Sequence, residues 1–71
     1  MLIQLVLKNS YGEFYGKKVD LSEENYKELL TMVKGFYVNG GFELTLEDGT
    51  FVVFPPDVVK LSILQVNKLE E

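Results

Sequence analysis

The chain reads as an α+β domain of order ββαβββ, with one helix packed on a curved antiparallel sheet or on a small open barrel. Three observations predict this. Residues 2–8, LIQLVLK, place Ile3, Leu5 and Leu7 on one face at strand periodicity. A capped, amphipathic segment opens at Ser22. An Asp48-Gly49 pair then separates two strand-like runs, Phe42 to Glu47 and Phe51 to Phe54.

The first strand, Leu2 to Lys8, meets turn residues at Asn9, Ser10 and Gly12, after which Phe14 to Val19 returns antiparallel as a more polar strand. The helix start is the sharpest boundary. Ser22 is a good N-cap, Glu23 and Glu24 lie where the helix dipole favours negative charge, and Leu21 and Tyr26 have the spacing of a hydrophobic staple. Tyr26, Leu29, Leu30 and Val33 form the apolar stripe, while Lys27, Glu28, Thr31 and Lys34 lie off it. The helix is expected to end between Lys34 and Tyr37, with Gly35 a candidate for a left-handed terminator, or else to run on to a turn at Asn39-Gly40-Gly41.

The hairpin from Phe42 to Phe54 carries the most information. Its incoming half alternates apolar and polar residues, whereas Phe51 to Phe54 is apolar throughout. A two-residue type I′ turn at Asp48-Gly49 would pair Leu46 with Phe51 and Leu44 with Val53. Phe42, Leu44, Leu46, Phe51 and Val53 would then face the core, leaving Val52 and Phe54 among Glu43, Thr45 and Glu47. Those two need a second cover, either Leu64 and Val66 of the last strand or another copy of the chain. Val52, Phe54, Leu64 and Val66 are therefore the expected interface residues, and a homo-oligomer is the expected state. Pro55-Pro56 ends the strand, Asp57 to Lys60 makes a short turn or a helical turn, and Leu61 to Lys68 forms the last strand, with residues 69–71 fraying.

Composition narrows the function. Seventy-one residues make a single domain that buries only about 60% of its unfolded surface, so self-association would add to a small core. The sequence holds no Cys and no His, so disulfide frameworks, zinc sites and Ser-His or Cys-His nucleophilic catalysis lack their parts. Eleven acidic residues against seven lysines give a net charge of −4, which repels duplex nucleic acid. The six-residue apolar run from Leu2 to Leu7 is too short to span a membrane and lacks the flanks of a signal peptide, so a soluble, cytoplasmic protein is expected.

Two groups of side chains are candidates for chemistry. Glu43 and Glu47, with Asp48 beside them, share a strand face and read as a solvated surface rather than as an acid-base pair or a metal site. The segment YGEFYGKK combines aromatic rings with cations, the mixture that stacks on nucleotides, and nominates Tyr11, Tyr15, Lys17 and Lys18 as ligand-binding residues. The same residues suit a hairpin whose lysines protect an edge strand. No enzyme activity, cofactor or metal is expected.

From DLSEENYKELL to GFELTLEDGTFVVFPPDVVKLSIL the chain resembles small uncharacterised proteins encoded by bacteriophages and prophages, over residues 20–66. The resemblance carries no catalytic residues. It implies a tiny acidic protein in the host cytoplasm that binds and inhibits a host or defence protein, or that sequesters a signalling nucleotide in a pocket at a subunit interface.

Overall fold

The computed structural model describes residues 1–38 and 40–69. Strands β1 (Leu2–Asn9), β2 (Gly12–Tyr15) and β3 (Val19–Asp20) precede helix α1 (Glu23–Lys34). Strands β4 (Phe42–Thr45) and β5 (Phe51–Phe54), the single-turn helix α2 (Pro56–Val59) and strand β6 (Ile63–Leu69) follow. The fold is α+β, with one main helix and antiparallel strands that do not close into a barrel.

β1 is the centre of a four-stranded sheet, with β6 along one edge and β2 and β3 along the two halves of the other. Leu7 lies opposite both Phe14 and Leu64, and cross-strand partners share a face, so these three present one apolar surface. The expected second strand is two short ones. Between them the pairing with β1 slips by one residue, from Val6↔Tyr15 to Ile3↔Val19, as in a β-bulge. At that slip the Gly16 N–H donates to the Leu5 C=O, while the buried Gln4 side chain donates to the Gly16 C=O at 2.9 Å.

The Lys17 N–H turns the other way and donates to the Thr45 C=O at 2.9 Å, and the Glu47 N–H donates to the Tyr15 C=O at 3.2 Å. A bridge between Gly16 and Leu46 thus fastens the β4–β5 hairpin to the sheet. Gly16 is required there because a Cβ would stand 2.9 Å from Leu44 Cδ1 and 3.1 Å from the Leu5 carbonyl.

The hairpin corrects the expected register by one residue. Its pairs are Phe42↔Phe54, Glu43↔Val53, Leu44↔Val52 and Thr45↔Phe51. The Leu46 N–H donates to the Thr50 C=O, the Gly49 N–H donates to the Leu46 C=O, and Gly49 has φ +89. The loop therefore holds Glu47, Asp48 and Gly49 as a type I turn followed by a left-handed glycine, not Asp48 and Gly49 alone. Since strand side chains alternate, one extra loop residue exchanges the two faces of β5.

Phe54 consequently lies in the core at 4% exposure and Val52 packs against it, while Phe51 and Val53 face outward at 59% and 61%. The core joins Leu7, Phe36, Leu44, Phe54 and Val59, with Phe14, Phe42, Val52 and Leu64 packed around them. Phe54 meets the edge of Phe14, and Phe36 meets Phe42, each with ring centroids 5.0 Å apart. Leu64 contributes as the expected cover from the last strand, and Val66, opposite Leu5, is half-buried beside it.

α1 begins as the cap predicts: the Ser22 Oγ accepts from the Asn25 N–H at 3.2 Å. It ends at Lys34, but Gly35 has φ −89, and the last turn closes through the Gly35 N–H donating to the Met32 C=O and the Phe36 N–H donating to the Val33 C=O, so no left-handed residue is involved. Leu69 does not fray, since it lies opposite Leu2 in the β1–β6 ladder. Asn39 of the expected Asn39-Gly40-Gly41 turn, and Glu70 and Glu71 of the expected frayed end, lie outside the described residues. Among the described residues no helix is long and apolar enough to cross a membrane.

Two outcomes test this packing. Phe54→Ala removes a buried ring and is expected to cost about 3–5 kcal/mol in urea unfolding, most of what so small a domain holds; a loss below about 1 kcal/mol would put Phe54 on the surface. In the turn, Asp48 Oδ1 accepts from the Thr50 N–H at 2.9 Å, which holds the carboxyl below its ordinary value of 3.8. A depressed carboxylate stabilises the fold above its unfolded value and loses that contribution as pH falls through the folded value. The gap in melting temperature between the wild type and Asp48→Ala should therefore be widest near neutral pH and narrow on acidification, and a gap independent of pH would contradict the role given to the charge.

Candidate functional site

The stripe of α1 is apolar, yet Tyr26, Leu29, Leu30 and Val33 are only half-buried and no residue of the helix is fully buried. The helix is held by its ends. Phe36, just past the C-terminus, inserts into the core, and the Lys68 ammonium sits 5.6 Å from the centre of the Tyr26 ring near the N-terminus.

The remaining space is a groove between α1 and β4. Beyond the Gly16–Leu46 bridge no further ladder joins β3 to β4, and the strands part over the side chains of β1. Two cavities of about 440 and 370 Å³ occupy the gap and share Leu5 and Leu29. One lies toward the helix C-terminus, against Met32, Val33, Phe36, Phe42 and Val53; the other lies toward its N-terminus, against Ile3, Val19, Leu21 and Leu44. Each is of the size of a ligand pocket, and the walls are apolar apart from Glu43, Lys17 and Thr45.

The expected interface residues are not at this surface. Phe54 is buried, Val52 and Leu64 pack against the core, and Val66 is half-buried, whereas Phe51 and Val53 on the other face of β5 are the exposed apolar side chains of that strand. The four expected ligand residues are not brought together either. Tyr11 is exposed in the β1–β2 turn beside a small cavity lined by Asn9, Asp57 and Leu61. Tyr15 donates from its hydroxyl to Glu13 on the outer face of the sheet. Lys17 lines the groove, and Lys18 is exposed.

Glu43 shares the outer face of the hairpin with Val53, its partner in the ladder, and Glu47 enters the turn. Among the described residues no three acidic side chains converge on a point that would hold a metal ion.

Sequence reasoning missed the groove because it arises from two strands parting, which no periodicity records. Its one local signal is Gly16, flanked by Tyr15 and Lys17 where a strand was expected to continue, since a glycine inside a strand marks a bulge or a close backbone approach. No family model, curated protein or solved structure matches the chain.

The groove has a direct test at Leu29, the side chain common to both cavities. Leu29→Phe adds volume that a filled core would refuse at about 1–3 kcal/mol. The melting temperature is expected to hold or rise, and a fall of that size would show that the space is already filled.

Proposed function

We propose that the chain is a non-enzymatic binding protein that acts stoichiometrically on a protein partner, whose apolar segment occupies the groove between α1 and β4. The groove carries this reading: an apolar channel rimmed by the exposed side chains of Val19, Met32 and Val53, on a helix that leaves its own stripe half-covered. Exposed apolar surface clustered at a concave site is the usual mark of a protein or ligand interface. The resemblance to phage-encoded proteins supplies the partner class, a host or defence protein inhibited by being bound. Self-association of the chain belongs to the same reading.

The variants Val19→Glu and Met32→Glu change exposed side chains at the two ends of the groove and should leave the fold intact. A host lysate passed over the immobilised wild type should yield a protein retained one-to-one and lost from both variants. No stoichiometric partner, or a partner held equally by the variants, would refute the reading.

A nucleotide sponge is the alternative, and Lys17 in the lining of a cavity that is apolar apart from it and Thr45 favours it. Tyr11, Tyr15 and Lys18 stand apart from that cavity. A ligand that binds only the folded chain raises its melting temperature. A rise with mono-, di- or cyclic nucleotides that Lys17→Gln abolishes would favour the sponge, and no rise would favour protein capture.

A further inference from the structure

We infer that two copies of this chain pair through the free edge of β5, antiparallel about a two-fold axis at Val52, joining their hairpins into one four-stranded sheet. The inference deepens the reading of the chain as a binding protein by naming a second copy as one of its partners.

The hydrogen bonding of the hairpin fixes which groups the edge offers. The Leu46 N–H···O=C Thr50 bond closes the ladder, and in an antiparallel pair bonded positions alternate. Leu44↔Val52 and Phe42↔Phe54 are then the next bonded pairs, so the N–H and C=O groups of Val52 and Phe54 point toward β4. Those of Phe51 and Val53 point away. The opposite edge of β4 confirms the phase, because the C=O of Thr45, the partner of Phe51, points outward and accepts from Lys17. Among the described residues nothing pairs with the outer edge of β5.

Apart from its length of four residues, this edge lacks the usual protections. Natural edges are blunted by shortness, charge, proline, bulges or a covering element. Phe51 to Phe54 has no charge, no proline within it and regular pairing with β4, and its outward-facing Phe51 and Val53 are more than half exposed. β6, by contrast, carries Gln65, Asn67 and Lys68.

A second copy matches the edge in one register. For both copies to present the same face to the same side, each residue must oppose one of its own parity. With Val52 opposite Val52 of the partner subunit, Phe51 opposes Val53 of the partner subunit, and the reverse pair follows from the two-fold axis. Every outward N–H and C=O is then bonded, and the two exposed side chains of each copy cover those of the other. A shift of two residues one way sets Phe51 opposite a proline at position 55, which has no N–H. The opposite shift sets Val53 opposite a glycine at position 49, whose N–H is already given to Leu46. A second copy thus satisfies this edge with no residue left over.

Sedimentation over a concentration series, with circular dichroism on each variant, tests the inference. The wild type should reach twice the monomer mass of 8.1 kDa. Phe51→Lys, which sets like charges across the junction, and Val53→Pro, which deletes an outward N–H that β4 does not use, should both be monomeric with the spectrum of the wild type. Should either variant unfold, Val52→Cys decides, because the chain has no other cysteine and these facing positions fall within the Cα separation of a disulfide, about 4.4–6.8 Å. Rapid oxidation to a covalent dimer supports the register. A wild type that stays monomeric at millimolar concentration, a dimer that survives both substitutions with the fold intact, or a Val52→Cys chain that does not cross-link would overturn it. A monomeric wild type whose groove variants still lose a captured protein would overturn self-pairing alone and leave partner binding standing.

Discussion

The left-handed conformation of Gly49 governs the rest of the molecule. It lets the loop between β4 and β5 hold three residues, and the extra residue relative to a two-residue turn sets the hairpin register. Side chains in a strand alternate, so this register is an all-or-none choice between two cores. In one, Phe51 and Val53 are buried; in the other, Val52 and Phe54 are. The chain adopts the second, and Phe54 closes against Phe14 of the first hairpin and beside Leu44 and Val59. Asp48 supports the turn by accepting from Thr50, which keeps its carboxylate charged under the loop backbone.

A second constraint acts at Gly16. There the chain leaves β1 and touches the hairpin, and the absence of a Cβ lets Leu44 and the Leu5 carbonyl approach. One bridge secures the hairpin without extending the sheet, so β3 and β4 diverge and α1 spans the opening without filling it. Core and groove follow from the same geometry. The hairpin is packed where it meets Leu7, Phe14 and Leu64, and stands away from the sheet where it faces α1.

Much of this was legible in the sequence. The α+β class, the Ser22 cap, a helix end in the range that Lys34 opens, a turn after Pro55-Pro56 and the inward placement of Leu64 follow from local chemistry, and the structure has them. The register was not legible, because Asp-Gly serves two-residue and three-residue loops alike. What separates the two is burial of Phe54 against Phe14, far away in sequence, which no local pattern contains. The apolar surplus on β5 is legible in the sequence, but the register turns Phe51 and Val53, not Val52 and Phe54, to the outside. The separation of Tyr15 from Lys17 and Lys18 has a similar cause, since the bulge at Gly16 parts residues that a continuous strand would have set at regular alternation, while Tyr11 stands apart in the turn before β2.

The register itself is open to one decisive measurement. In an antiparallel hairpin the non-hydrogen-bonded partners bring their Cα atoms to about 4.5 Å, close enough for strong nuclear Overhauser effects between α-protons. The three-residue loop predicts those cross-peaks between Thr45 and Phe51 and between Glu43 and Val53. Cross-peaks between Leu46 and Phe51 and between Leu44 and Val53 would instead establish the two-residue turn, return Phe54 to the surface, and contradict the account of core, groove and edge together.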